Sequence, residues 1–381
     1  MVSPRQLLHL IRQTIRKNHV FLFSHKIEIL KKDYFYTMNL PHDLKVSVSK
    51  LSSCFRNTSA TYKFYWLLAI IESIEAGKEE IPKKELFARM IANAWFTVNY
   101  FHVSFGKQDK LQQAIDKLKD IEAFDVDTSK QKILDSLIHS TNRETIKALN
   151  HFDHNVPFKF LSPWLGAHNE KLMYQLSQEN FNYPPYSLYK ESILIQPDWL
   201  DYFKRNAGVL KDFCYWNLAL FLQSKNPNVP DIPNKLKRPD QRGSLLKHKK
   251  DFWDLVINEI GSVDCIYTGK KLITGTYAVE HFVPFQYVAH DLMWNLVPAD
   301  PNFNSMKSDK LPNLDSYFDN FFEVQKEGVK IVKQLNPKNK FLEDYLSIFP
   351  TLDFSKEKYR ETIEPMLTIA SNNGFQYMKV N

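Results

Sequence analysis

The stretch that most constrains this chain runs from Cys265 to Pro312, CIYTGKKLITGTYAVEHFVPFQYVAHDLMWNLVPADPNFNSMKSDKLP. A β-branched and aromatic run ends in an acid and a histidine side by side, Glu280 and His281. Asn295 follows fourteen residues after the histidine, Asn304 nine residues later, and Lys307 three after that. The pattern reads as two short strands followed by a helix. A hard divalent cation takes oxygen ligands and completes its octahedron with water, and Glu280 and Asn304 can supply such oxygens. A hydrolase also needs a group that accepts a proton from water near neutral pH, and imidazole is suited to that. Neighbouring side chains on a strand point to opposite faces. A bend at Pro284 would let Glu280 and His281 reach one phosphate from different sides.

At these residues the sequence resembles the HNH (ββα-metal) endonucleases. The resemblance covers about 50 of the 381 residues and is ordered, with Glu-His on the first strand, Asn295 opening the second, and Asn304 and Lys307 on the helix. It implies one divalent metal, Mg²⁺ or Mn²⁺, between Glu280 and Asn304, with Asn302 a third ligand directly or through water. It implies His281 as general base, Asn295 as the residue that orients the loop and imidazole, and Lys307 as a phosphate-contacting or site-stabilising lysine. His290, in the loop between the strands, reads as structural or DNA-contacting. The implied products carry a 5′-phosphate and a 3′-hydroxyl. In one respect the chain departs from the family. Many members carry two CxxC pairs that bind zinc, whereas here Cys265 stands alone in CIYTG. A four-ligand structural zinc needs more Cys and His than that, so the expectation is no zinc and a small core of Tyr267, Val279, Phe282, Leu292, Trp294 and Leu296.

Composition narrows the setting. The chain has 44% hydrophobic and 14% aromatic residues, 28 Phe and only 10 Gly, which favours a helix-rich globular protein over a disordered one. The three cysteines, Cys54, Cys214 and Cys265, are odd in number and far apart, which argues against a disulfide framework and for a reducing compartment. No signal-peptide pattern and no spanning apolar run is evident, so the expected location is cytoplasmic and no membrane is expected as a partner. The net charge of +7 is unevenly placed. Residues 1–60 hold ten Lys/Arg against three Asp/Glu, and residues 221–250 hold eight against two. Both stretches are candidate phosphate-contacting surfaces, with Lys235, Lys237, Arg238 and Arg242 the residues expected on nucleic acid.

The rest of the chain reads as mainly α. Residues 4–17 suggest a basic amphipathic helix that packs on its own domain. ATYKFYWLLAIIESIEAG, apolar nearly all round, should be a central helix stopped by Gly77. Further helices are expected from Pro82, over about 107–122 and 128–138, and from 141, with Thr141 and Glu144 as a capping box. His151, Asp153 and His154 cluster before Pro157, but no fourth ligand is in view and a polar turn is the expectation. Helices at 168–181 and 198–223 lead to QSKNPNVPDIPNKLKRPDQRG, whose prolines and basic residues read as a connector. The expected organisation is therefore a helical domain over 1–223 for DNA or partner binding, a linker over 224–246, and an HNH nuclease domain over 247–381 flanked by helices. Within that domain helices are expected at 247–260, 314–334, 338–348 and 355–372. Val156–Leu165 and SATYKFYWLLAI also resemble segments of some bacterial HNH proteins. A helical part this large suits docking on another protein, and the resemblance to HNH subunits of bacterial antiphage systems such as Septu-like ones, which work with a partner ATPase, implies an antiphage effector. Docking on such an ATPase that switches cleavage on, self-association, and a catalytically idle DNA-binding module remain as alternatives.

Overall fold

The computed structural model describes residues 40–56, 58–238 and 243–379. The helix expected at 4–17 and the expected DNA contact Arg242 lie outside the described residues. The fold is mainly helical with a few small sheets. The principal helices are α1 (Tyr62–Glu75), α2 (Lys83–Asn99), α3 (Lys110–Ile121), α4 (Lys130–His139), α5 (Arg143–Asn150), α6 (Glu170–Glu179) and α7 (Pro197–Lys225). They are followed by α8 (Asp254–Ile260), α9 (Phe285–Val288), α10 (Pro301–Lys307), α11 (Leu314–Leu335) and α12 (Lys356–Asn372). The strands are β1 (Glu80–Pro82), β2 (Tyr186–Leu188), β3 (Ser192–Ile195), β4 (Val263–Asp264), β5 (Lys271–Leu272), β6 (Ala278–His281) and β7 (Leu296–Ala299).

Local chemistry explains most boundaries. Phe64 to Ile71 of α1 are all buried, as an all-apolar helix requires, and Gly77, at φ +85°, turns the chain out after it. Asp109, Ser129 and Asn169 cap α3, α4 and α6 by accepting backbone N–H groups. The capping box expected from Thr141 is replaced by Asn142, whose side chain accepts from Glu144 N at 2.9 Å. A carboxamide one residue nearer the helix takes the free N–H first.

The described residues form two compact units that interleave along the chain. One comprises the described residues up to Ser59, Ile71–Ile81 and Pro157–Cys214. It holds a three-stranded sheet in the order β1–β3–β2, with β2 and β3 antiparallel and Tyr186 opposite Ile195. In its core Trp199 meets Trp164 and Tyr202 edge-on and Phe203 at a tilt. The other comprises Ala60–Ile70, Pro82–Val156 and the described residues from Tyr215 onward. This division differs from the one expected at 224–246, because α2 to α5 belong with the C-terminal region. The proline-rich segment is packed rather than free, with Val229, Ile232 and Leu236 buried in that second unit. Asn226 also ties it to Ser104, donating to the carbonyl at 2.7 Å and accepting from the N–H at 3.0 Å.

In the second unit the short β6–β7 hairpin rests on α11. Phe282 and Phe321 stack with centroids 4.0 Å apart, and Gln325 Nε2 donates to Leu296 O at 2.8 Å. Tyr359 of α12, in contact with Phe318, Phe321, Phe322, Phe349 and Phe354, donates its hydroxyl to Trp294 O. Each buried aromatic side chain contributes roughly 1.5–3 kcal/mol. A two-stranded hairpin is marginal alone, so this cluster supplies the rigidity the hairpin lacks. Gly328 of α11 matters for the same packing, since a Cβ there would lie 3.1 Å from the Trp253 ring.

Candidate active site

The hairpin is antiparallel, with Glu280 opposite Val297 and His281 opposite Leu296. Strand alternation sends their side chains to opposite faces. Asp300 follows β7 and caps α10, its carboxylate accepting from Asn302 N at 2.9 Å, and Pro301 occupies the first turn. These signals fix where α10 begins, and hence where its last residue falls. That residue is Lys307. Its ammonium donates to Glu280 Oε1 and to the His281 carbonyl, each at 2.8 Å. The Lys307 side chain is fully buried and that of Glu280 only 10% exposed. A buried ion pair keeps its value only if its geometry is good and its remaining donors are satisfied. One lysine thus locks the helix to the strand that carries both the acid and the histidine.

The His281 imidazole is held from the other side. Its Nε2 lies 2.8 Å from Asp291 Oδ1, and the Phe285 ring meets it edge-on with centroids 5.6 Å apart. Asp291 was not among the residues singled out from the sequence. A carboxylate in a loop has no periodicity to mark it, and its partner is decided by how the loop returns. That return is controlled by Asn295, fully buried, whose Oδ1 accepts from Val283 N and whose Nδ2 donates to Val283 O, both at 2.8 Å. The carboxamide imitates a strand pairing and closes the loop across twelve residues. Within it α9 begins after Pro284 and ends at Ala289, left-handed at φ 58°. His290 rests against Trp294, and burial with the neighbouring His281 pulls its pKa down to about 4.

Hard-cation chemistry requires oxygens. Glu280 offers a carboxylate with one oxygen on Lys307. Asn304 is half-buried and lies one helical turn before Lys307, hence on the face that α10 turns to β6. Both carry the kind of oxygen that a hard divalent ion takes. Asn302 is exposed in the first turn, on the same side as the 66% exposed Met306 four residues on, so it can serve a cation at Glu280 only through water. Where the family has its cysteine pairs, β4 and β5 form a small hairpin closed by Cys265 N to Lys270 O and Gly269 N to Cys265 O, each at 2.8 Å. The Cys265 sulfur accepts from Asp300 N at 3.4 Å. Of the expected small core, Val279, Phe282, Trp294 and Leu296 are buried, and Tyr267 and Leu292 half-buried.

The basic residues separate. Lys237 and Arg238 are exposed. Lys235 is 0% exposed, donates to the carbonyls of Pro230 and Tyr287, the latter at 2.5 Å, and is pulled down to about 7 by burial. The expectation that it contacts nucleic acid is corrected, since its ammonium is turned inward on backbone carbonyls. Of the His151, Asp153 and His154 cluster, Asp153 pairs with the buried Lys83 at 2.8 Å, as a structural turn would.

A β-hairpin and a following helix set out a Glu-His pair, a loop-closing Asn, and Asn and Lys one turn apart, which is a ββα arrangement. Comparison with known families agrees: residues 265–313 match the family described as HNH endonuclease, and the chain carries an HNH endonuclease domain. No curated protein and no solved structure matches the chain. No helix among the described residues is long and apolar enough to cross a membrane.

Proposed function

We propose that the chain hydrolyses phosphodiester bonds in DNA with a divalent cation, Mg²⁺ or Mn²⁺. The observation that carries this is the convergence of two family positions on the ammonium of a third, with Lys307 bonded to Glu280 and to the backbone of His281. Glu280 and Asn304 would hold the cation, with Asn302 behind a water. When bound, it supplies positive charge where the phosphate and leaving oxygen become negative. His281 accepts the proton of the attacking water. Asp291 fixes the plane and tautomer of the ring, and Asn295 fixes the loop that carries Asp291. The antiphage setting and a partner ATPase draw support from the resemblance alone, and the genes beside this one test them.

The direct test is incubation of the purified protein with supercoiled plasmid, with and without Mg²⁺. Nicked or linear product should form only with the cation and should be lost in His281→Ala. Undiminished cleavage in excess chelator, or by His281→Ala, would remove this reading.

A further inference from the structure

Beside the hairpin, within the second unit, lies a cleft of about 470 Å³ walled by Tyr215 of α7, by Leu236, Lys237 and Arg238, and by Phe285 and Ala289 of the β6–β7 loop. Three observations give it a character. The first is charge. No carboxylate lines the cleft, and among the described residues neither Lys237 nor Arg238 pairs with one. Aromatic faces and a carbonyl hold them in place instead. Lys237 Nζ sits 4.0 Å from the centre of the Tyr215 ring. The Arg238 guanidinium sits 4.8 Å from that of Phe96 and donates to Asp127 O at 3.3 Å. Both cations are therefore pre-set by aromatic and backbone contacts, as suits an anion site. The second is the mixture of cations with aromatic and apolar walls, Tyr215, Phe285 and Leu236. A duplex backbone offers phosphates and sugars to such a surface, whereas an unpaired nucleotide offers a phosphate and a base face together. The third is place. Phe285 forms one wall and its ring meets the imidazole of His281, so whatever fills the cleft is one side chain away from the general base.

We propose that this cleft seats an unpaired nucleotide of the DNA strand being cut, its phosphate on Lys237 and Arg238 and its base against the aromatic wall. The preferred substrate is then DNA that is single-stranded, flapped or gapped next to the scissile bond. This rests on the DNA-hydrolase reading above and adds the substrate class.

The experiment measures binding of a fluorescent twelve-residue oligothymidylate and of a blunt duplex by anisotropy, using the full chain in chelator so that nothing is cut. Wild type should bind the single strand in preference to the duplex. The double variant Lys237→Ala/Arg238→Ala should lose on the order of tenfold in affinity, with a log–log salt slope shallower by about 1.4, two contacts at about 0.7 each for a single strand. Tyr215→Leu should lose about fivefold or more for the single strand and leave the duplex unchanged, as expected for a stacking wall. Lys237→Arg/Arg238→Lys keeps both charges and should bind as wild type, which separates loss of charge from loss of fold. Unchanged affinity and slope in the double alanine variant would overturn the proposal, as would equal losses for duplex and single strand. The two readings fail separately. Plasmid cleavage by His281→Ala removes the hydrolase assignment while the binding data stand. Cleavage that depends on His281, with cleft variants that bind normally, removes the cleft alone.

Discussion

At the scale of single residues, the ammonium of Lys307 and the carboxylate of Asp291 act on the two halves of the Glu280–His281 pair from opposite faces. Their variants should therefore fail in different ways. Lys307→Met leaves the Glu280 carboxylate buried without its partner. Removing one member of a buried pair costs about 3–5 kcal/mol, so the urea midpoint should fall steeply, and a midpoint within error of wild type would contradict the geometry described here. Asp291→Ala leaves both proposed cation ligands in place. Its Mn²⁺ titration should match wild type while turnover drops with little change in KM, and Asp291→Asn, which keeps an acceptor for the ring, should recover part of the rate. His281→Ala should lower the rate by about 10²–10⁴-fold with DNA binding intact. Glu280, His281, Asn295, Asn304 and Lys307 could be singled out in the sequence as candidates by residue type and spacing, and their roles are those proposed above. Asp291 could not be singled out, since nothing local distinguishes it from a solvated loop acid.

At the scale of elements, the decisive pieces are the loop closed by Asn295 and the proline-rich segment that packs beside it. Asn295→Ala forfeits two buried backbone partners. Each unsatisfied group costs about 1–3 kcal/mol, so stability and rate should fall together, unlike in Asp291→Ala. Lys235 gives an opposite forecast from its neighbours. Lys235→Met should lower the melting temperature and leave the salt dependence of DNA binding as it was, because its ammonium serves Pro230 and Tyr287 rather than solvent. A flattened salt slope in that variant would mean that the side chain reaches phosphate after all. The sequence misled here for a physical reason: a lysine among prolines looks solvated until Val229, Ile232 and Leu236 are seen to bury around it. The three-stranded sheet was missed for another reason. β1, β2 and β3 are only three or four residues long, and β1 joins its partner from more than a hundred residues away, so no window of the sequence contains the pairing.

At the scale of the whole molecule, the helical character was readable from composition and apolar periodicity, whereas the grouping of helices was not. Chain order suggested a cut near 224–246, but contacts such as His102 on Phe375, with centroids 4.4 Å apart, join segments distant in sequence. A fragment of residues 247–381 should therefore fail to give a cooperative melt, since it leaves Phe375 and Tyr287 without His102 and Lys235. The pH dependence follows from buried imidazoles. His290 is held at about 4 and His248 is also lowered by burial, against about 6.5 unfolded. Between those values the unfolded chain binds the proton and the folded one does not, so stability rises with pH across that window and is lost on acidification from about 6.5 towards 4. Urea midpoints at pH 7 and 4.5 should show the loss, and His290→Asn should show less of it.

The hydroxyl that Tyr359 gives to Trp294 O has one more consequence, in the order of synthesis. Trp294 immediately precedes Asn295, so the carbonyl beside the loop closure stays without its partner until residue 359 has been made and has folded back. During translation every residue of the nuclease motif leaves the ribosome before the clamp that steadies it. A polypeptide interrupted between α10 and α12 carries the whole set from Glu280 to Lys307 without the contact that Tyr359 supplies.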